Sequence, residues 1–281
     1  MILFLKMNKI IAIQGAEGSN HHKVARDFYG NSIQLKECMS FDALVASLLD
    51  NSAVLGVMAI ENTIAGSIIP NYALIDANNL HIIGEKYLNI HHHLMALKGQ
   101  DIGDIKEVWS HPMALLQCKE FFKKYPHVKL VEDVDTAEVA KRISEQKLLG
   151  IAAIAPKIAA EIFDLSIIED EIQTIKENAT RFVIVQTKLP TNRVDQINKA
   201  SLKFQLAHKR GSLAAILNVL SDCKMSLTKI QSMPVIQTPW KYSFFVDVTF
   251  EDYKEYEKVI KILEIMAEEF KILGTYENGR K

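Results

Sequence analysis

The stretch Glu177-Asn178-Ala179-Thr180-Arg181-Phe182 runs directly into the apolar segment Val183-Ile184-Val185. Two polar side chains, those of Thr180 and Arg181, therefore stand where a connection becomes a short buried strand. The guanidinium of Arg181 is a fixed cation whose planar fork of donors suits a carboxylate. The hydroxyl of Thr180 can both donate and accept a hydrogen bond. A capped loop that enters a strand explains the same pattern without any function. The choice between these two interpretations depends on residues elsewhere in the chain.

Two strands predicted earlier in the chain are each followed by polar residues. Ile10–Ile13 predicts a buried strand, and the glycine-rich turn Gly15–Ser19 follows it before a helix. Such a turn can present backbone amides to an anion, although its spacing fits neither a phosphate loop nor a dinucleotide fingerprint. Val54–Ile60 is a continuous apolar run, typical of a strand buried on both faces of a parallel sheet. It ends in Glu61-Asn62-Thr63, at the edge where open α/β sheets bind ligands. Ordinary turn and capping chemistry is the alternative at both places.

The middle of the chain continues the alternation of strands and helices. A strand is predicted over Leu88–Ala96, and the histidines His91-His92-His93 within it are interpreted as sheet residues, because strand neighbours point to opposite faces and no spaced ligands complete a metal site. Ser110-His111-Pro112 begins a helix that carries Gln117 and Cys118. Asp135-Thr136-Ala137-Glu138 resembles a capping box that opens a helix to about Gln146. This alternation predicts βαβ units and a parallel sheet.

The pattern changes in the last third of the chain. Residues 187–198 are polar and are predicted to be a linker between domain 1–186 and domain 199–281. Beyond the linker, the order of predicted elements is βαββαβ over about 75 residues, which indicates a compact ferredoxin-like unit.

Composition limits the classes of function. The chain has 281 residues, is 48% apolar and 24% charged, and carries a formal net charge of -1. It therefore has no overall field that attracts nucleic acid or an anionic membrane. Three scattered cysteines without a Cys-x-x-Cys pair favour a reducing compartment. No apolar stretch approaches the roughly 20 residues needed to span a bilayer, and the apolar N-terminus is too short for a signal peptide. We expect a cytoplasmic protein.

The motifs together resemble prephenate dehydratase, in that family's order and near its spacing, over about residues 10–185, and the βαββαβ tail resembles an ACT domain. The matching motifs are Gly15-x-x-Gly18-Ser19, Ile60-Glu61-Asn62-Thr63, Gly84-Glu85 with His92, Ser110-His111-Pro112 with Gln117-Cys118, and Thr180-Arg181-Phe182.

The resemblance implies an α/β fold with a bilobal, periplasmic-binding-protein-like catalytic domain and a cleft between its lobes. One lobe would hold about residues 1–76 and 167–185, and the other about 77–166. The implied reaction converts prephenate to phenylpyruvate, water and carbon dioxide without a metal or an organic cofactor.

The resemblance also implies roles for site residues. Thr180 would lie near the leaving hydroxyl, Arg181 would fix a carboxylate or the local geometry, and Glu61 would be a neighbouring acid if burial raises its pKa. The remaining implied catalytic or substrate-binding residues are Gly18, Ser19, Asn62, Thr63, Ser110, His111, Gln117 and Phe182. Cys118 is interpreted as a packing residue.

The ACT-like tail implies feedback by L-phenylalanine and a homodimer or homotetramer formed through this domain. Its two implied effector segments are Gly211-Ser212-Leu213-Ala214 and Gln231-Ser232-Met233-Pro234. The second segment departs from the usual Glu-Ser-Arg-Pro, because Gln231 replaces a charge that could pair with an amino group and Met233 replaces a cation. These changes put the strength of inhibition in question.

Two other functions fit the same residues. An arogenate dehydratase would act on the corresponding amine, and no residue separates it from a prephenate dehydratase. A non-catalytic amino-acid sensor is the other alternative, because bilobal clefts and ACT domains both bind amino acids.

Overall fold

The computed structural model describes residues 9–189, 196–207, 209–235, 238 and 240–280. The chain divides into two compact units. One unit comprises Met1–Gly66 and Leu88–Phe182, and the other comprises Ser67–Tyr87 and Val183–Lys281. The described residues form a mixed α/β structure with two sheets.

The first unit begins with a parallel sheet. Strand β1 (Ile10–Gln14) pairs in parallel with β2 (Gln34–Cys38) on one side and β3 (Leu55–Asn62) on the other. Helices α1 (Asn20–Tyr29) and α2 (Phe41–Leu49) connect these strands. Ser40 is the N-cap of α2, since its hydroxyl accepts from the Ala43 amide at 3.1 Å. The apolar run of β3 is buried from Leu55 to Ile60, which confirms the predicted buried strand.

A second sheet of the same unit has the order β10-β6-β9-β7-β8. Its elements are β6 (His93–Ala96), β7 (Glu107–Ser110), α4 (Pro112–Phe122), β8 (Lys129–Glu132), α5 (Thr136–Gln146), β9 (Ile151–Ala155), α6 (Lys157–Phe163) and β10 (Ser166–Glu169). The side chains of β9 show that helices cover both faces of this second sheet. Its Ala152 and Ile154 pack with α4, whereas Ala153 and Ala155 pack with α5 and α6, as the two-residue period of a strand requires.

The predicted strand over Leu88–Ala96 is wrong as a single element. The structure has β5 (His81–Asn89) and then β6, which begins at His93. Between them the Ile90 amide donates to the Asn178 carbonyl at 2.7 Å. Because β5 ends at Asn89 and β6 begins at His93, His91 and His92 lie in the connection between the two strands and not in a sheet.

The second unit contains α3 (Ile69–Ala77), most of β5, and the C-terminal elements. These are β12 (Lys199–Gln205), α7 (Ser212–Asp222), β13 (Ser226–Pro234), β14 (Tyr242–Thr249), α8 (Tyr253–Met266) and β15 (Glu269–Tyr276). Their order, βαββαβ, confirms the prediction. The strands pair antiparallel in the spatial order β13-β14-β12-β15.

The remaining strands are the short β4 (Gly66–Ser67), which pairs with β3, and β11 (Ala179–Gln186), which includes Thr180, Arg181 and the apolar segment Val183-Ile184-Val185. Within the second unit β15 also pairs in parallel with β5, where Gly274 lies opposite Ile82. A β-carbon on Gly274 would lie 2.0 Å from the Ile82 carbonyl oxygen, so only glycine permits this approach. No helix in the described part of the chain is long and apolar enough to cross a membrane.

Candidate active site

Asn62, the last residue of β3, is the centre of a polar cluster. Its side-chain oxygen accepts from the backbone amides of Ile64 and Ala65, both at 2.9 Å. This turn fixes the orientation of the side-chain amide, because two N–H donors require the oxygen on that side. The amide nitrogen Nδ2 then donates to Asn178 Oδ1 at 2.6 Å and to Thr180 Oγ1 at 2.9 Å.

Strand β11 is tied to the end of β3 by its neighbour Thr63. The Thr63 amide donates to the Ala179 carbonyl, and the Ala179 amide donates to Thr63 Oγ1, both at 2.9 Å. Thr180 follows immediately and is 8% exposed. Its oxygen accepts from Asn62, and its own hydrogen is therefore directed to another acceptor.

The cluster extends to helix α4 through Asn178. Asn178 Nδ2 donates to Gln117 Oε1 at 3.1 Å, and His92 Nε2 lies 2.8 Å from the same oxygen. We call Asn62, Asn178 and Gln117 the amide network. It joins the edge of the first sheet to a helix of the second, with Thr180 at one end and His92 at the other. Of the predicted site residues, it brings together Thr180, Asn62 and Gln117.

Burial lowers the pKa of His92, and the hydrogen bond to Gln117 opposes this only in part. Its imidazole is therefore neutral near pH 7. Cys118, the neighbour of Gln117, is fully buried in the cluster under α4, and burial raises the pKa of its thiol to about 12. This environment fits the interpretation of Cys118 as a packing residue.

The glycine-rich turn is engaged within the first unit. Each backbone amide of the turn donates a hydrogen bond within this unit. The Gly15 amide donates to the Cys38 carbonyl at 2.9 Å, and the Ala16 amide donates to the Asp135 carboxyl. The amides of Glu17, Gly18 and Ser19 donate to the Glu37 carboxyl at 2.9 Å, to His22 Nδ1 at 3.0 Å and to the Ala16 carbonyl at 3.1 Å, respectively. Ser19 also caps α1, since its hydroxyl accepts from the His22 amide at 3.3 Å. A β-carbon on Gly18 would lie 3.1 Å from Ala159 Cα, so the turn packs closely against α6. Binding of a carboxylate by amides near Gly18 stays a prediction, and it would require these bonds to rearrange.

Ser110 and His111 stand outside the amide network. The Ser110 hydroxyl is fully buried and donates to the Ile154 carbonyl at 2.7 Å. His111 is the N-cap of α4, where its Nδ1 accepts from the Met113 amide at 3.2 Å. Both side chains therefore have local structural partners.

Arg181 and Phe182 lie within β11. Because side chains alternate along a strand, Arg181 points to the face opposite Thr180 and Phe182. Arg181 is 2% exposed, and so is Phe182. The Phe182 ring meets the His21 ring edge to face, with centroids 5.0 Å apart. Glu61 is half-buried on β3, next to Asn62.

Two members of the cluster, Asn178 and His92, were not predicted as site residues. Asn178 stands two residues before Thr180, but its partner Asn62 is 116 residues away. His92 belongs to a histidine run that the sequence assigned to a strand. The signals in the sequence were that His92 accompanies Gly84-Glu85 in the family motif and that Asn178 lies in the stretch before Thr180, but neither residue was assigned a role.

The fold and the network define an α/β protein with a candidate small-molecule site where strands end. Within the described residues, no three His, Cys, Asp or Glu side chains come together as metal ligands would. The sequence profile of the prephenate dehydratase family matches residues 11–189. The chain belongs to the prephenate dehydratase family.

Three known proteins illustrate the similarity. The prephenate dehydratase of Methanocaldococcus jannaschii is 34% identical, and the match covers 96% of this chain and 98% of that protein. The solved structure of GqqA, described as a novel type of quorum quenching acylase, has a TM-score of 0.86 at 25% identity, covering 97% of this chain and 99% of that one. Prephenate dehydratase of Arthrobacter aurescens in complex with L-Phe has a TM-score of 0.81 at 22% identity, covering 96% and 90%.

Proposed function

We propose that this protein is a prephenate dehydratase, which converts prephenate to phenylpyruvate, carbon dioxide and water. The observation that carries the proposal is the hydrogen bond from Asn62 Nδ2 to Thr180 Oγ1 at 2.9 Å, within a chain whose family is prephenate dehydratase. This bond makes the threonine oxygen an acceptor and leaves its hydrogen for the leaving oxygen of a substrate.

The bonds that break and form in this reaction all belong to the substrate and water, so the protein forms no covalent bond to the substrate. The bond between the ring and its carboxylate breaks and its electron pair moves into the ring, which becomes aromatic. The ring hydroxyl leaves with its bonding pair and takes one proton to become water. Hydrogen bonding or proton donation to the leaving oxygen is typically worth about 10²–10⁴-fold, and positioning of the substrate adds to this.

Thr180 is proposed as the hydrogen-bond donor to the leaving oxygen. A threonine hydroxyl is too weak an acid to give up its proton near neutrality, so the proton itself comes from a neighbouring acid or from water. Glu61, half-buried beside Asn62, is the proposed neighbour. Arg181, which is buried on the face of β11 opposite Thr180, is proposed to fix a carboxylate or the local geometry. The proposed substrate-binding residues are Gly18, Ser19, Thr63, Ser110, His111, Gln117 and Phe182.

The experiment is steady-state turnover of prephenate near neutral pH, with phenylpyruvate detected by its absorbance in alkali. Because prephenate also converts spontaneously in acid, every rate is corrected for a blank without enzyme. Thr180→Ala should lower kcat by about two decades or more while the fold survives. Thr180→Ser, which keeps the hydroxyl, should retain most of the rate.

Thr228→Ala is the matched control, because Thr228 donates to the Asp247 carbonyl on a strand of the second unit. Its turnover should equal that of the wild type. A folded Thr180→Ala enzyme with wild-type turnover would remove Thr180 from the mechanism. Parallel assays with arogenate distinguish the amine substrate from the keto acid, and absence of turnover with both substrates would favour a sensor.

The βαββαβ part of the second unit is proposed to be an ACT domain that binds L-phenylalanine, with the domain boundaries 1–186, 187–198 and 199–281. Gly211 caps α7 with φ 85°, and Gln231–Pro234 form the end of β13. Ser212 donates to the Ala207 carbonyl, while Gln231 donates to the Ser232 carbonyl, each at 2.9 Å. The related structure from Arthrobacter aurescens contains L-Phe, which motivates the choice of effector.

Titration with L-phenylalanine tests this regulation through both activity and melting temperature. A ligand that binds only the folded protein must raise Tm, so no change in either quantity would refute the effector. Among the described strands, β13 pairs with β14 alone and is therefore an edge. Pairing of such edges in a homodimer or homotetramer is proposed, as is a cytoplasmic location.

A further inference from the structure

We propose that His92, Gln117, Asn178 and Asn62 form a hydrogen-bond chain with a fixed direction, and that this chain aims the hydroxyl hydrogen of Thr180. Asn178 and His92 are then positioning residues for the reaction. The inference rests on the proposed role of Thr180 as the donor to the leaving oxygen.

The direction is set at Asn62. Its Oδ1 accepts from the amides of Ile64 and Ala65, each at 2.9 Å. A backbone amide can only donate, so exchanging the oxygen and nitrogen of this side chain would set two pairs of donors against each other. Nδ2 of Asn62 must therefore face Asn178 and Thr180.

The same logic orients the next two side chains. Asn178 must present Oδ1 to Asn62, at 2.6 Å, and hence Nδ2 to Gln117. Gln117 must then present Oε1, which lies 3.1 Å from Asn178 Nδ2 and 2.8 Å from His92 Nε2. Because that oxygen only accepts, His92 must carry its hydrogen on Nε2.

The other ring nitrogen agrees with this tautomer. His92 Nδ1 is buried and has no hydrogen-bond partner among the residues that the structure describes. A hydrogen placed there would be buried without an acceptor among the described residues, which is unfavourable. His92 thus ends the chain as a neutral donor, and its own backbone amide is held by Gln173 Oε1 at 3.0 Å.

The direction of the chain decides what Thr180 can do. As it stands, Thr180 Oγ1 receives a hydrogen bond from Asn62 Nδ2 and can donate its hydrogen to a substrate. If the chain ran the other way, Asn62 Oδ1 would face Thr180 and would accept that hydrogen. The hydroxyl would then be held away from the leaving oxygen.

Asn178→Asp tests the direction with a nearly isosteric change. The new carboxylate still accepts from Asn62, but above its pKa it cannot donate to Gln117. Two acceptors then face each other, so the new carboxylate is pushed away from Gln117 Oε1 and no longer holds Asn62 Nδ2 in place beside Thr180 Oγ1. We expect kcat to fall by about tenfold or more at pH 8, with a smaller change in KM, because the affected bond acts on the leaving group.

A double-mutant cycle separates positioning from a structural role. If the chain acts through Thr180, then Asn178→Asp should lower kcat by less than about twofold in a Thr180→Val background, where there is no hydroxyl to aim. His92→Phe, which removes the terminal donor, should behave in the same way and serves if Asn178→Asp does not fold. Asn31→Asp is the matched control, since Asn31 accepts from Arg26 Nε at 2.8 Å outside the chain, and it should leave kcat unchanged.

The pH profile is a second readout. Position 178 is buried, and burial should raise the pKa of the new carboxyl group above that of a free aspartate. Lowering the pH then protonates this group and restores a donor to Gln117, so the rate of Asn178→Asp relative to wild type should rise as the pH falls towards 5.5. Equal losses in the Thr180 and Thr180→Val backgrounds would overturn the inference. Failure of the proposed function would show differently, as a wild-type protein that does not turn over prephenate.

Discussion

Removing Lys199 should be among the most destabilising single changes in the second unit. Lys199 Nζ lies 2.8 and 2.9 Å from the two carboxylate oxygens of Glu85 and 3.2 Å from the Tyr87 hydroxyl. The side chains of Lys199 and Glu85 are 2% and 0% exposed. In Lys199→Met the Glu85 carboxylate stays buried without its cation, and one remaining contact is the Gly279 amide at 2.9 Å.

The magnitude follows from the burial of the pair. Breaking a buried ion pair by removing one partner costs about 3–5 kcal/mol, whereas replacing both partners by apolar residues is often near neutral. At about 2–4 °C per kcal/mol for chains of this size class, Tm should fall by roughly 6–20 °C. Lys199→Met combined with Glu85→Leu should recover most of this loss.

Thermal melts followed by circular dichroism at one pH measure the full double-mutant cycle. Lys258→Met is the matched control, because Lys258 and Glu255 form a pair at 2.7 Å whose lysine side chain is 64% exposed. It should leave Tm nearly unchanged, because a solvent-exposed ion pair contributes little to stability. If Lys199→Met lowers Tm no more than Lys258→Met does, the buried ion pair does not contribute as we expect. The same holds if the double variant Lys199→Met, Glu85→Leu is less stable than Lys199→Met alone.

Two further changes test the first unit. Burial lowers the pKa of His21 to about 3, so the unfolded chain binds this proton more readily and stability should be lost, at about 1.4 kcal/mol per pH unit, as pH falls from about 6.5 towards that value. Urea unfolding at several pH values gives the slope of the unfolding free energy against pH. In His21→Leu this slope should be smaller than in wild type by the contribution of one proton. An unchanged slope would contradict the burial of a neutral His21. Gly18→Ala should destabilise the protein by about 1–3 kcal/mol more than Gly99→Ala. Both glycines have φ +88°, but a β-carbon meets Ala159 Cα at 3.1 Å in the first and nothing within 4 Å in the second. Equal effects in thermal melts would show that the backbone angle alone decides.

Local patterns predicted the elements well. The apolar run before Glu61 gave a buried strand because a continuous run of that length has no polar face to expose. Asp135 caps α5 as predicted, and its side-chain oxygen accepts from the Ala137 and Glu138 amides at 2.9 Å. These features depend on neighbours within a few residues, which the sequence displays directly.

Features that depend on distant partners could not be predicted in the same way. The break between β5 and β6 requires a bond from Ile90 to Asn178. The amide network requires β11 to begin beside the end of β3, which no local pattern specifies. The glycine-rich turn carries the pattern of an anion site, yet its amides are bonded to groups as distant as Cys38 and Asp135.

This enzyme accelerates the loss of carbon dioxide and water from prephenate. The most direct measurement follows phenylpyruvate and carbon dioxide together, near neutral pH and with EDTA present, for wild type and Thr180→Ala. We predict one carbon dioxide per phenylpyruvate, a wild-type rate far above the blank, and a variant rate lower by about 10²-fold or more. A folded wild-type protein that leaves prephenate at its spontaneous rate would contradict the account.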